Sequence, residues 1–190
     1  MAATPRLDSL PAIEAAVWRE LASALRDKAH PWRTVVLATA DGMAPDARTV
    51  VLRHVDAEKR RLIFYADSRS PKLRQIGQQP QGMMVLWSAA LGWQLRLRVE
   101  LEAHTAGLEV SSRWARLKMT PGAHDYLSPL PPGSPLDQPG SAPVHPPERG
   151  TREFFAIVIA SVTAVDWLEL HAEGHRRAAF DDNGARWLVP

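Results

Sequence analysis

The sequence predicts a mainly β, α+β fold: an antiparallel β-barrel with a few peripheral helices, in one domain spanning residues 1–190. Three observations lead there. Short segments rich in β-branched and alternating apolar residues recur through the middle of the chain, separated by turn signals. Residues 93–102 alternate strictly: Trp93, Leu95, Leu97, Val99 and Leu101 point one way, and Gln94, Arg96, Arg98, Glu100 and Glu102 the other. Neither the Gly-rich fingerprint of a dinucleotide fold nor the phosphate loop of an NTPase is present, so the doubly wound alternatives lack their signatures. A chain of 190 residues is long enough for one substantial core and short for two.

The elements follow in order. Residues 11–28 predict an amphipathic helix, because Ile13, Val17, Leu21 and Leu25 recur every four residues. Pro11 suits its first turn and His30-Pro31 its end. Strands are predicted at 32–39 and 47–55, joined by Ala40-Asp41-Gly42. A third strand, 60–65, pairs with the second through the charged turn at 56–59. A short helix at 71–79 is closed by Pro80, and strands follow at 83–87 and 93–102. Residues 108–118 return to helical character. The stretch 121–150 holds nine of the 16 prolines and reads as a long loop without regular structure. Residues 154–165 read as a strand or a buried helix, their alanines and valines leaving both open. The last segment, 175–190, reads as a hairpin turning at Asp181-Asp182-Asn183-Gly184.

Composition narrows the function classes. Net charge is +2, with acids and bases interleaved, which argues against a nucleic-acid partner. The absence of cysteine excludes disulfides and thiolate-held metals and is compatible with the cytoplasm, the expected location. No apolar run has the length of a membrane span, and the first residues lack the apolar core of a signal peptide. His171 and His175 are four apart, but Gly174 and the turn-like Ala172-Glu173 speak against a helical ligand pair, so no metal site is expected.

The most informative stretch runs from residue 48 to 72. Arg48 begins the apolar run Thr49-Val50-Val51-Leu52, which Arg53 closes. Phe64-Tyr65-Ala66-Asp67 ends the next strand, and Ser70-Pro71-Lys72 opens a helix. Ser70 suits the N-cap, where its hydroxyl would accept from a first-turn amide, and Pro71 suits the first helical position. Lys72 in the first turn opposes the helix dipole. A bound phosphate would resolve that conflict, with Arg48 as a second partner. A solvated helix start with an incidental lysine is the competing reading.

With the elements placed, this order of strand, strand, helix start, strand and strand resembles the FMN-binding split barrel of the pyridoxamine 5′-phosphate oxidase family. The resemblance is strongest over 32–102 and weaker over 154–180. The family's arginine–apolar–leucine–basic pattern matches 48–53, its phenylalanine-tyrosine-threonine-asparagine matches 64–67, and its serine-arginine-lysine matches 70–72. The resemblance implies FMN as cofactor, held by Arg48, Thr49, Val50, Leu52, Arg53, Tyr65, Ala66, Ser70, Lys72, Gln94 and Trp167. It implies Arg53, His175 and Arg176 facing a small anionic substrate, and a homodimer with FMN at the interface. The dimer also follows from Thr49-Val50-Val51-Leu52, which is apolar on both faces and needs cover on both. Tyr65 and Trp167 each have a second reading as core residues. Ala66 replaces a threonine that would hydrogen-bond the flavin, and Pro71 an arginine that would contact its phosphate. The family's substrate-binding tyrosine, arginine and serine have no matches, and the Pro-rich stretch occupies their region. The expectation is therefore an FMN-dependent oxidoreductase of a divergent branch, acting by hydride transfer on another substrate. A non-catalytic, haem-binding or deazaflavin-binding split barrel is the alternative.

Overall fold

The computed structural model describes residues 6–138, 152 and 154–190. Its elements are α1 (Leu10–Ser23), β1 (Thr34–Ala40), β2 (Pro45–Asp56), β3 (Arg61–Asp67), α2 (Pro71–Gln78), β4 (Gln81–Ser88), β5 (Trp93–His104), α3 (Leu108–Leu117), β6 (Phe155–Glu169), β7 (Arg176–Asp181) and β8 (Gly184–Leu188). The strands pair antiparallel in the order β3-β2-β1-β4-β5-β6-β7-β8, and β3 also pairs with β6. The first six therefore close a barrel, and β7 and β8 extend the sheet beyond it.

The long strand β6 makes both features. Its first half pairs with β3 on one side, Arg61 opposite Ser161 through Asp67 opposite Phe155. Along its length it pairs with β5, and its last residues pair with β7. Residues 155–160 are buried on both faces, which is why they show no alternation. Val158 and Ala160 point into the barrel core. Phe155, Ile157 and Ile159 point outward under Val110, Trp114 and Leu117 of α3. That second, outer core resolves the strand-or-helix ambiguity in favour of a strand.

The strict alternation of β5 is realised, with its odd residues from Trp93 to Leu101 buried inside the barrel. α1 buries Ile13, Ala16, Val17, Trp18 and Leu21 against the same core. It is shorter than the periodicity predicts. After Ser23 the bonds tighten, with Leu25 N–H donating to Ala22 and Arg26 N–H to Ser23, and Asp27 then caps Ala29 at 2.8 Å. Residues 31–33 form a 3-10 turn before β1 rather than the first residues of the strand, because His30 accepts from the Trp32 amide. The expectation of an irregular 121–150 is also corrected in part: Pro121–Tyr126 is a 3-10 helix that buries Ala123 and Tyr126. Most of the remaining Pro-rich stretch lies outside the described residues. The terminal hairpin is present, with Gly184 at φ +93° supplying the turn that a side chain would strain. Among the described residues no helix is long and apolar enough to cross a membrane.

Candidate functional site

The barrel is split between β2 and β3. Residues 45–51 of β2 pair with β1. Pairing of β2 with β3 begins only at Leu52 opposite Phe64. Beyond that point Tyr65, Ala66 and Asp67 pair with β6 alone. Among the described residues, the edge of β2 along Arg48, Thr49, Val50 and Val51 is thus left without a strand on its β3 side. Buried backbone donors and acceptors need partners, so such an edge is a place for a ligand. Val50 and Leu52 turn their side chains into the core, and only their backbone can face the split.

α2 begins at the end of this split. Ser70 occupies the N-cap position, but its hydroxyl does not cap the helix as the sequence suggests. It donates instead to the Asp67 carbonyl at 2.7 Å, closing the turn out of β3 and leaving the first-turn amides uncapped by a side chain. Lys72 makes no ion pair among the described residues. Burial, and then the nearby Arg48 guanidinium, push its ammonium below the usual lysine range. A cation that is partly desolvated and next to a like charge is one that an anion would stabilise.

Arg48 is more engaged than its motif suggests. It donates to the Thr39 hydroxyl at 2.6 Å and to the Gln75 side-chain oxygen at 2.9 Å, and it pairs with Asp46. Thr39 also donates to Gln75 at 2.6 Å, and both are buried. Hydrogen bonds from Gln75 and Arg48 hold the Asp46 carboxyl below its usual range. Arg48 therefore ties α2 to β1 while placing its charge near Lys72.

Farther along the split, the Arg53 guanidinium lies 5.5 Å from the centre of the Tyr65 ring. Tyr65 packs edge-on against Phe155 at 5.0 Å, and Tyr126 does the same from the other side at 5.2 Å. Arg69 was not singled out in the sequence. It forks onto Asp67 at 3.0 and 2.7 Å and donates to the carbonyls of Ser128, Pro129 and Leu130, strapping the start of the Pro-rich segment over the end of β3. A cavity of about 270 Å³ lies under this strap, between Asp67, Asp125, Ser128 and Leu136. A larger one of about 490 Å³ runs along α2 past Leu101 and Thr105 but includes neither Arg48 nor Lys72.

Tyr126 carries a titration that can be read directly. Burial pushes its phenol up to about 12. With the folded value above the unfolded one, the contribution to stability is complete below about pH 10. It falls as pH rises toward 12. Absorbance at 295 nm is expected to show one of the two tyrosines titrating near 12. A completed titration of both by pH 10.5 would contradict this burial.

The remaining expected residues stand elsewhere. Gln94 lies on the outer face of β5 opposite Trp87. In the closed ring, β2 and β5 are three strand steps apart in either direction. One chain therefore cannot bring Gln94 to Arg48. Trp167 is fully buried inside the barrel, edge-on to Trp93 at 5.4 Å, in keeping with its second reading as a core residue. Arg176 is held by Glu169 and the Leu7 carbonyl, and Arg6 shares the same carboxylate at 2.5 Å. That network, not an open substrate face, occupies Arg176. His175 accepts from the His171 amide, and no metal-binding group of residues occurs among those described. Arg177, passed over in the sequence, shares the outer face with Gln94: both flank Leu168 in the register, and Arg177 forks onto Asp166 at 3.0 and 2.7 Å. The alternation within Arg176-Arg177 was the signal that could have separated the inward arginine from the outward one.

Residues 15–105 match the family described as pyridoxamine 5′-phosphate oxidase, FMN-binding domain. A pyridoxine/pyridoxamine 5′-phosphate oxidase of Caulobacter vibrioides is 28% identical over 169 residues, covering 82% of this chain and 72% of its own. Among solved structures, a pyridoxamine 5′-phosphate oxidase-related, FMN-binding protein from Nostoc punctiforme superposes with a TM-score of 0.74 at 23% identity, over 96% of this chain and all of the other. PhzG from Burkholderia lata, solved in complex with tetrahydrophenazine-1-carboxylic acid, superposes with a TM-score of 0.67 at 17% identity, over 96% of this chain and 94% of that one.

Proposed function

We propose that the chain, whose residues 15–105 match the pyridoxamine 5′-phosphate oxidase, FMN-binding domain family and whose fold is that of a solved FMN-binding relative, is an FMN-dependent oxidoreductase acting by hydride transfer on a small anionic substrate. The observation that carries this reading is the split itself: a strand edge along 48–51 that is open among the described residues and ends at a partly buried Lys72 with no ion-pair partner among them. These residues fit FMN. Lys72, the uncapped first turn of α2 and the charge of Arg48 would hold the phosphate. The backbone of Thr49, Val50 and Leu52 and the edge of Tyr65 and Ala66 would line the ring system. When bound, FMN supplies the two-electron chemistry. The protein's own part is to place the ring, neutralise the phosphate and shield the cleft, which the Arg69 strap does from one side.

The same reading makes the protein a cytoplasmic homodimer with FMN at the interface. Gln94 can serve the FMN held by Lys72 only if it comes from a second copy, since β2 and β5 stand on opposite sides of one barrel. Val36, Val51 and Trp87, exposed by 40, 36 and 46%, form the outer apolar face of β1, β2 and β4 that such a copy would cover. The purified protein is expected to be yellow, to release FMN by mass and to sediment as a dimer at micromolar concentration. A Soret band, or a monomer that still binds FMN, would contradict the proposal.

A further inference from the structure

Residues 128–132 read Ser-Pro-Leu-Pro-Pro. Proline has no N–H, so Pro129, Pro131 and Pro132 cannot donate to a neighbouring strand. The Leu130 amide turns back to the Ser128 hydroxyl at 3.2 Å. The carbonyls are what remains to hold this segment, and they need a donor from outside it. Among the described residues, every hydrogen bond that ties 128–130 to the barrel is donated by the Arg69 guanidinium. It reaches the carbonyls of Ser128 at 2.9 Å, Pro129 at 3.2 Å and Leu130 at 3.3 Å. The same group forks onto Asp67, 5% exposed, and lies 3.3 Å over the centre of the Phe154 ring. Burial adds little to the hold. No residue from 128 to 138 is buried, and a cavity of about 270 Å³ lies between the segment and Asp67.

We infer that Arg69 is a positioning residue: the latch that keeps 128–130 closed over the Asp67 end of the split and so sets how fast FMN leaves. The inference rests on the FMN reading above. On that reading Tyr65 and Ala66 line the ring system and Lys72 holds the phosphate. Arg69 stands between them, in the turn that joins β3 to α2. Its charge is nevertheless spent elsewhere. All three guanidinium nitrogens donate to Asp67 or to the strap, and Asp67 neutralises the group. A segment with little buried surface, held by one side chain, opens as a unit when that side chain is removed. The turn itself keeps other bonds. Ser68 N–H donates to the Phe154 carbonyl at 2.8 Å, and the Ser70 hydroxyl to the Asp67 carbonyl at 2.7 Å. Opening therefore eases passage in both directions and leaves the groups that bind FMN in place.

The test compares wild type with Arg69→Met, which keeps a long side chain and removes its donors. Chymotrypsin reads the strap in the protein freed of FMN. Residues 127–151 offer it only Leu127 and Leu136, because Leu130 precedes Pro131. Cleavage at these two, followed by mass, is expected to be about tenfold faster in the variant, the rise in open population from losing one charge-assisted hydrogen bond. In the flavin-loaded protein, release of FMN and of riboflavin is expected to rise by the same factor of about ten, while the FMN Kd changes less than about threefold because entry speeds up as well. Should Arg69→Met fail to fold, Asp67→Asn, which weakens the fork from its other side, carries the same comparisons. Unchanged cleavage, or unchanged release of either flavin, would overturn the inference; a rise for FMN alone would make Arg69 a phosphate ligand. A Kd that rises in step with release would also overturn it, by placing Arg69 in support of the binding groups. Failure of the wild type to bind FMN would overturn the flavin reading instead, and cleavage of the protein as purified would then decide the latch.

Discussion

Replacing Lys72 with alanine is expected to raise the Kd for FMN about ten- to a hundredfold, the loss of one charge-assisted bond to phosphate worth roughly 1.5–3 kcal/mol. The same substitution is expected to leave folding stability almost unchanged or slightly improved. Lys72 has no ion-pair partner among the described residues to lose, and its ammonium is disfavoured by burial and by Arg48. Riboflavin, which lacks the phosphate, should bind the wild-type protein poorly and should not distinguish it from the variant. Arg48→Ala should also weaken FMN, but with a measurable drop in Tm. It leaves the buried Thr39 and Gln75 and the Asp46 carboxylate without their shared donor. The pair of variants thus separates phosphate binding from structural support. Equal sensitivity of riboflavin and FMN to Lys72→Ala would show that Lys72 acts through the fold.

Pyridoxamine 5′-phosphate is expected to be oxidised at well below about 1 s⁻¹ by the FMN-loaded protein under oxygen, the low end of ordinary turnover. Recognition of a polar substrate depends on having every buried partner in place, and the loss of several costs orders of magnitude. Of the residues expected to face the substrate, Arg176 is committed to Glu169 and Leu7, and His175 caps the turn after His171. Arg53 remains, its guanidinium over the Tyr65 ring. A steady-state assay showing turnover at or above that rate would mean that the missing substrate motifs are replaced by residues outside those described, 139–151 among them.

Much of the architecture is legible in the chain because period and punctuation are local properties. The alternation from Trp93 to Leu101 made β5 readable, and Asp181-Asp182-Asn183-Gly184 made the last turn readable. Ser70-Pro71-Lys72 announces a helix start with a misplaced cation, and that cation has no ion-pair partner among the described residues. The order of these signals, with Arg48 and Tyr65 between them, points to the family from the sequence alone.

What the tertiary structure alone decided is where each polar group spends its bonds. Ser70 has the chemistry of a cap, but its hydroxyl donates to the Asp67 carbonyl at 2.7 Å in the turn out of β3. The folded chain also places Trp167 in the core and bonds Arg176 to Glu169, neither of which the sequence pattern states. The double burial of 155–160 depends on α3 folding back over β6, a contact between segments some forty residues apart in sequence that no window along β6 could reveal. The opposition of β2 and β5 is likewise a property of the closed ring. Pattern along the chain determines which residues can form a strand or begin a helix. Which of their side chains are left free to meet a ligand depends on partners distant in sequence, and only the folded chain brings those together.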